Sequence, residues 1–329
     1  MTQFSSTIKF FFCITFFLLI FSCSPDNASV KTSETPVELV KVEVPDFNAD
    51  SAYSFVQEQV NFGPRVPNSN AHENCAVWLQ KKLSGYNWTV TTQKGVQVAY
   101  DNEKLKFSNI IASFQPENKD RILLTAHWDT RPWGDNDADS KFHKIPIDGA
   151  NDGGSGVGVL IEIARVLQQK QPNIGVDIVL FDIEDYGNGS IENSFCYGSQ
   201  YWSKNLTYKG VLPLYAINLD MVGDIDAVFS YEGYSNQYAR PVLDKVWSAA
   251  HELGHQKHFL REVSYPVIDD HLYVNQAGIP CIDLIHRNPS SGKFPDSWHT
   301  HEDKIDKINI PTLKAVGETL LSVIFSEGI

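Results

Sequence analysis

The chain has 329 residues, of which 42% are hydrophobic and 12% aromatic, and its formal net charge is −13. That apolar content supports a packed core and excludes a disordered chain. The acidic balance excludes nucleic acid as a partner, because phosphate contacts need a basic patch.

The first element is a leader. Lys9 precedes an uncharged run over 10–21 that is apolar except at Thr15. At about 12 residues the run is too short to span a bilayer, which takes ~20. A basic flank, a short apolar stretch and a small residue before the break read as a secretory signal over 1–22. Ser22 is followed by Cys23, which suits a bacterial lipoprotein signal with Cys23 as the lipidated first residue. Residues 23–46 are polar and read as a tether. A single catalytic domain is expected over 47–329, exported to the periplasmic side or cell surface and held to a membrane only through the Cys23 lipid.

Three cysteines remain in the body, Cys75, Cys196 and Cys281. An odd, widely spaced set is no disulfide framework. Buried free thiols are the simple expectation, with one pair compatible with an oxidising compartment.

Beyond the tether, the pattern predicts helices over 49–63 and 70–83, with a proline-rich loop between. Strands over 88–100 and 105–114 alternate like an antiparallel pair. Buried strands are expected at 121–129, 176–185, 213–224 and 278–286. Helices are expected at 153–169, 236–253 and 309–325. Such alternation implies a three-layer α/β/α sandwich around a mixed, mainly parallel sheet.

In doubly wound folds, ligands bind beyond the carboxyl ends of the strands. Here those ends carry chemistry: His127-Trp128-Asp129, Glu184-Asp185 and Asp220. Asp152 precedes a glycine-led helix, and Trp298-His299 follows the last strand. Each alone has an ordinary explanation, such as a helix cap, a solvated turn or a packed histidine. Together they supply imidazole and carboxylate ligands that suit zinc, which commonly takes three protein ligands and keeps one position open.

The segments HWDTRPW, GANDGGSGVGVLIEIA, LFDIEDYG, NLDMVG, IDDHLYVNQAGIP and FPDSWHT resemble those of the zinc-dependent glutaminyl cyclases, and among them the bacterial branch, within the M28 metallopeptidase superfamily. The resemblance runs from GPRVPN to the C-terminal helix. It implies an aminopeptidase-like fold and one catalytic zinc held by Asp152, Asp185 and His299. It implies Glu184 as general acid/base, Asp269 as its support near the substrate amine, and Trp298 and Phe294 as pocket walls. His127 and Asp220 match positions that hold a second zinc in the M28 aminopeptidases. The implied substrate is a peptide or protein with N-terminal glutamine, which is converted to pyroglutamate. Animal cyclases carry two consecutive glutamates where this chain has Glu184-Asp185, and a histidine where it has Asp283. Their tryptophan after the glutamate pair has no match in YGNGS, which leaves Trp133 and Trp202 as candidates for that wall.

Two functions compete with the cyclase: a two-zinc aminopeptidase, whose five ligands are all present, and a silent binding protein, which loss of the glutamate or a ligand would signal. Three further stretches imitate sites. His251-Glu252-Leu253-Gly254-His255 has zincin spacing, but Gly254 is expected to end the helix and turn His255 off its face. Asp135, Asp137 and Asp139 alternate like a calcium loop without its glycine or terminal glutamate. GGSGVG does not directly follow a strand, as a dinucleotide fingerprint must. His301 is expected beside the site or in solvent.

Overall fold

The computed structural model describes residues 43–328. The expected leader and Cys23, with all but the last residues of the expected tether, lie outside this range. Two helices come first, α1 (Ala49–Val60) and α2 (Asn70–Gly85). Each starts where a polar side chain takes up an orphan backbone N–H: Asn48 accepts from Ser51 and Ser69 from His72. The antiparallel pair β1 (Thr89–Val98) and β2 (Lys104–Phe114) follows, then β3 (Arg121–His127). The glycine-led helix is α3 (Gly154–Gln169), followed by β4 (Gly175–Phe181), α4 (Tyr197–Lys204) and β5 (Ala216–Asp220).

The remaining elements are β6 (Phe229–Tyr231), α5 (Gly233–Tyr238), α6 (Arg240–Glu252), β7 (Phe259–Val263), α7 (Asp270–Gln276), β8 (Cys281–Ile285) and α8 (Ile310–Ser326). Six strands form one sheet in the order β1-β2-β4-β3-β5-β8. The β1–β2 and β2–β4 pairs are antiparallel, and β4–β3, β3–β5 and β5–β8 are parallel. The sheet is therefore mixed and mainly parallel. Strands β6 and β7 form a separate two-stranded sheet.

Period-two alternation sends side chains to two cores. Ile110, Ile122, Leu124, Ile178, Leu180, Ile217 and Leu284 face a core with α1, α2, α3, α6 and α8. Ile111, Leu123, Val179, Phe181 and Cys281 face a smaller core with Trp202 of α4 and Val274 of α7. Both faces of the central strands are covered, so these strands read as continuous apolar runs. The glycines of GGSGVG serve this packing. A Cβ on Gly156 would meet the Leu219 carbonyl at 2.5 Å, and one on Gly158 would meet Val56 at 2.6 Å.

Two expectations need correction. The single helix over 236–253 is two, α5 and α6, broken at Ala239 (φ −137°, ψ 34°). Pro241 causes this: it has no N–H, and its ring excludes the turn before it, so it opens a new helix. The possible disulfide is absent, since Cys75, Cys196 and Cys281 are all free and buried. The zincin spacing dissolves as expected. Helix α6 ends at Glu252, Gly254 is left-handed (φ +84°), and His255 pairs with Glu318 at 2.9 Å.

Behind the sheet's last strand, Glu232 ties three segments together. Its carboxylate accepts from the N–H groups of Tyr234, Ser235 and Val267, and lies 3.0 Å from His271. Although burial opposes ionisation, His271 and these donors hold it down to about 2, below the ordinary 4.5. A folded-state value below the unfolded one adds stability above pH 4.5 that is lost as pH falls toward 2. Glu232→Gln is expected to cost about 3 kcal/mol at pH 7. The gap from wild type should narrow below pH 4.5 in thermal melts; a pH-independent gap would contradict this account.

Candidate active site

Three parallel strands deliver their ends to one edge. β3 ends in His127, β5 in Asp220, and β4 runs on through Asp182 and Ile183 to Glu184 and Asp185. The loop before α3 adds Asp152, and the loop after β8 adds His299. Asp152 is no helix cap: α3 begins with no side-chain cap bond, and the carboxylate is free to turn inward. His127 Nε2 lies 3.0 Å from Asp152 Oδ1 and 3.3 Å from Asp220 Oδ1. His299 Nε2 lies 3.1 Å from Asp185 Oδ1 and 3.8 Å from Asp152 Oδ2. Two buried triads result, His127/Asp152/Asp220 and Asp152/Asp185/His299, each with donor atoms within 4.8 Å of one another. Asp152 belongs to both.

A buried shell orients these groups. The Asp129 carboxylate accepts from the N–H of Glu184 (3.0 Å) and of Asp185 (3.2 Å). Asp303 does the same for Asn151 (2.7 Å) and Asp152 (3.1 Å). Arg131 donates to the Asp185 carbonyl (2.9 Å) and carboxylate (3.3 Å), and grips Asp135 with two further N–H groups. The backbone is strained at the same points. Ile183, Met221 and His299 hold φ of 51°, 48° and 58°, a region L-residues avoid and a β-branched isoleucine especially so.

Opposite charges and burial split the carboxyls. Burial raises Asp185, but His299 and Arg131 more than reverse this and hold it below the usual carboxylate range. Burial, with Asp152 and Asp269 nearby, pushes Asp220 up to about 7. Burial and Asp152 push Asp303 up to about 8. Glu184 opens on the cavity through part of its surface and is otherwise enclosed. Burial, with Asp185, Asp269 and Asp270 close by, pushes it well above the usual range. Its Oε1 takes a hydrogen bond from the Cys196 thiol at 3.1 Å. Burial and Glu184 itself keep that thiol protonated. Asp269 completes a group with Glu184 and Cys196, again within 4.8 Å. It caps α7, and Asn218 donates to it at 3.1 Å.

Asp152, Glu184, Asp185, Asp220, Asp269 and His299 line a cavity of about 590 Å³, a size suited to a small ligand. Phe294 and Trp298 form one wall, with ring centroids 4.3 Å apart, and Trp298 stacks on His299 at 3.8 Å. Neither candidate tryptophan lines it. Trp202 is buried against Phe181, and Trp133 packs on Tyr186. The segment 189–195, including Phe195, also lines the cavity. His301 lies outside, bonded to Asp137 at 2.6 Å. The calcium-like aspartates are dispersed: Asp135 goes to Arg131, Asp137 to His301 and Asp139 to the N–H of Lys141.

The donor set fits zinc. Two carboxylates and an imidazole form the His299 triad, and Asp185 Oδ2 is buried with no hydrogen-bond partner. Sequence reasoning missed the roles of Asp129, Arg131, Cys196, Asn218 and Asp303. Asp129, Arg131 and Asp303 stand beside the motif histidines, which was the available signal. Cys196 and Asn218 carried none.

The model for peptidase family M28 matches residues 109–324, and the chain belongs to this family. Among solved structures, the glutaminyl cyclase of Bacteroides thetaiotaomicron is 50% identical, covering 87% of this chain and 100% of that one, with a TM-score of 0.84. The glutaminyl cyclase of Tannerella forsythia is 49% identical over 86% of this chain and 100% of that one, with a TM-score of 0.83. An aminopeptidase of Bacillus subtilis is 27% identical over 66% of this chain, and the match spans 44% of that protein's length.

Asp129 holds two consecutive N–H groups, one on each carboxylate oxygen, and an asparagine would replace one of those acceptors with an NH2 donor. Asp129→Asn is expected to weaken zinc binding roughly 10- to 100-fold. Chelator competition on folded protein measures this, and unchanged affinity would show that the Glu184-Asp185 turn holds itself.

Proposed function

We propose that this protein is a glutaminyl-peptide cyclotransferase that converts N-terminal glutamine of peptides or proteins to pyroglutamate and releases ammonia. The reading is carried by the likeness to a glutaminyl cyclase at 50% identity over the whole of that chain. Asp152, Asp185 and His299 would hold one zinc ion, which, when bound, polarises the side-chain amide carbonyl. Glu184 takes a proton from the substrate's α-amine. The freed amine attacks its own side-chain carbonyl carbon and closes a five-membered lactam ring. Glu184 then passes that proton to the departing amide nitrogen, which leaves as ammonia, and the ring nitrogen sheds its second proton through Glu184 to solvent. Atoms balance without water. Asp269 accepts a hydrogen bond from the amine and keeps it facing Glu184. Cys196 steadies the Glu184 carboxyl from behind. Phe294 and Trp298 confine the side chain to a folded shape, so that the amine and carbonyl meet.

Residues 1–22 would direct export, lipidation at Cys23 would anchor the protein on the periplasmic side or cell surface, and 47–329 would be the catalytic domain. The support for this is the sequence pattern of the first 46 residues. Among the described residues, no helix is long and apolar enough to cross a membrane.

A second reading, a two-zinc aminopeptidase, is favoured by the His127/Asp152/Asp220 triad. Two measurements separate the readings. Purified protein is expected to release ammonia from a glutamine-initiated peptide and to leave a leucine anilide intact; anilide cleavage would sink the cyclase. Metal analysis should give about one zinc per chain, against two for the peptidase.

Glu184→Gln keeps the shape of the site but not the proton acceptor. It is expected to retain zinc and lose roughly 100- to 10,000-fold in turnover. Near-normal ammonia release would remove Glu184 from the mechanism.

A further inference from the structure

A second cavity, of about 320 Å³, opens between α2 and the β1–β2 pair. It shares no lining residue with the active cavity. His72, Ala76 and Val77 line it from α2, and Lys94, Lys106 and Ser108 from the strands. The strand register explains that side. Lys94 lies directly opposite Ser108, and Lys106 stands two residues before Ser108, so all three share one face of the sheet.

The polar groups here are unspent. The Ser108 hydroxyl oxygen is buried and has no hydrogen-bond partner, an arrangement that costs free energy while it lasts. Lys94 and Lys106 are exposed, and neither pairs with a carboxylate among the described residues. Glu73 is the only acidic residue on the lining, although the chain as a whole carries a net charge of −13. Like charges that share a sheet face repel, and an anion seated between them relieves that repulsion. Ala76 and Val77 add an apolar wall, and Val77 is left 65% exposed. The volume is that of a small-molecule pocket, with room for an organic body beside the anion.

The floor of this cavity leads to the active edge. His72 Nε2 lies 2.8 Å from Asp182 Oδ1, and its ring stacks on Trp128 with centroids 4.4 Å apart. The Ser108 N–H donates to Asp182 Oδ2 at 2.6 Å. Asp182 also accepts from the N–H of Ile183 at 2.8 Å, the left-handed residue that leads into Glu184 and Asp185. His72 and Ser108 therefore hold the foot of the Glu184-Asp185 turn on one side and face an occupant on the other.

We propose that this cavity binds a small organic carboxylate, with its charge between Lys94 and Lys106 at the Ser108 hydroxyl and its apolar body against Ala76 and Val77, and that the occupant steadies the turn carrying Glu184 and Asp185. The proposal is independent of the cyclotransferase reading. A ligand that engages His72 and Ser108 in their native positions favours the state in which Asp182 is held, and so opposes local opening of the turn.

The test uses the zinc-loaded protein with hexanoate as probe, hexanamide as the uncharged control and inorganic phosphate as the bare anion. Calorimetry should show hexanoate binding at least tenfold tighter than either control, and more weakly at high salt. The double variant Lys94→Glu, Lys106→Glu should lose at least tenfold in hexanoate affinity. Both positions are exposed, and thermal melts check that the variant folds. Saturating hexanoate should slow hydrogen exchange of the Glu184 and Asp185 backbone N–H groups at least twofold in wild type and leave it unchanged in the variant. Undiminished binding by the variant would place the carboxylate on the zinc in the active cavity and overturn the proposal. Equal affinity for hexanamide or phosphate, no binding at all, or exchange unmoved by bound hexanoate would overturn it as well.

Discussion

Like charges gathered out of water repel, and the whole active edge of this protein is an answer to that repulsion. Asp152, Asp185, Asp220, Glu184 and Asp269 converge on one cavity. Left alone, most would take up protons and cease to bind a metal. The structure sorts them instead. Arg131 and His299 keep Asp185 ionised, whereas enclosure among carboxylates lets Glu184 hold a proton. One carboxyl is prepared as a ligand, and its neighbour in sequence is prepared for proton transfer. The Asp129 carboxylate sets that division physically, since it fixes both backbone N–H groups of the pair. The left-handed Ile183 is the local cost, because the chain must turn sharply for consecutive side chains to serve different tasks.

Much of this was legible because parallel strands must end at the same edge. Once β3, β4 and β5 are recognised as buried apolar runs, the polar residues after them are neighbours whatever their separation along the chain. The strand-ending histidine, the Glu-Asp pair and Asp220 could thus be grouped before any geometry was known. Helix breaks and short elements were harder. The division of α5 from α6 depends on one proline in an otherwise helical pattern. Strands β6 and β7 are too short to show a period, and α4 and α7 are hidden among loop-like sequence.

Partners chosen in three dimensions left no trace in one. The spacing of Asp135, Asp137 and Asp139 suggested a common task, yet the fold gives each a different partner. Cys196 offered only the bland expectation of a buried thiol. It is buried, but its sulfur lies 3.1 Å from the glutamate that would move the proton. Periodicity reports which face a residue presents. It does not report what waits on the other side of a loop crossing.

The two metal-binding triads pose the sharper question of why one scaffold would favour ring closure over hydrolysis. Hydrolysis needs a water activated beside the metal, and Glu184 could serve that as well as it serves an amine. What distinguishes the site is Asp269. It sits within 4.8 Å of Glu184, held by Asn218 and by its own helix. A water nucleophile gains little from a second carboxylate there. A substrate amine, positively charged before it gives up its proton, gains a great deal: two carboxyls draw it in, and one of them then takes the proton. The enclosing wall of Phe294 and Trp298 matters for the same reason, because a glutamine that is folded back on itself places its own nitrogen where the water would otherwise stand.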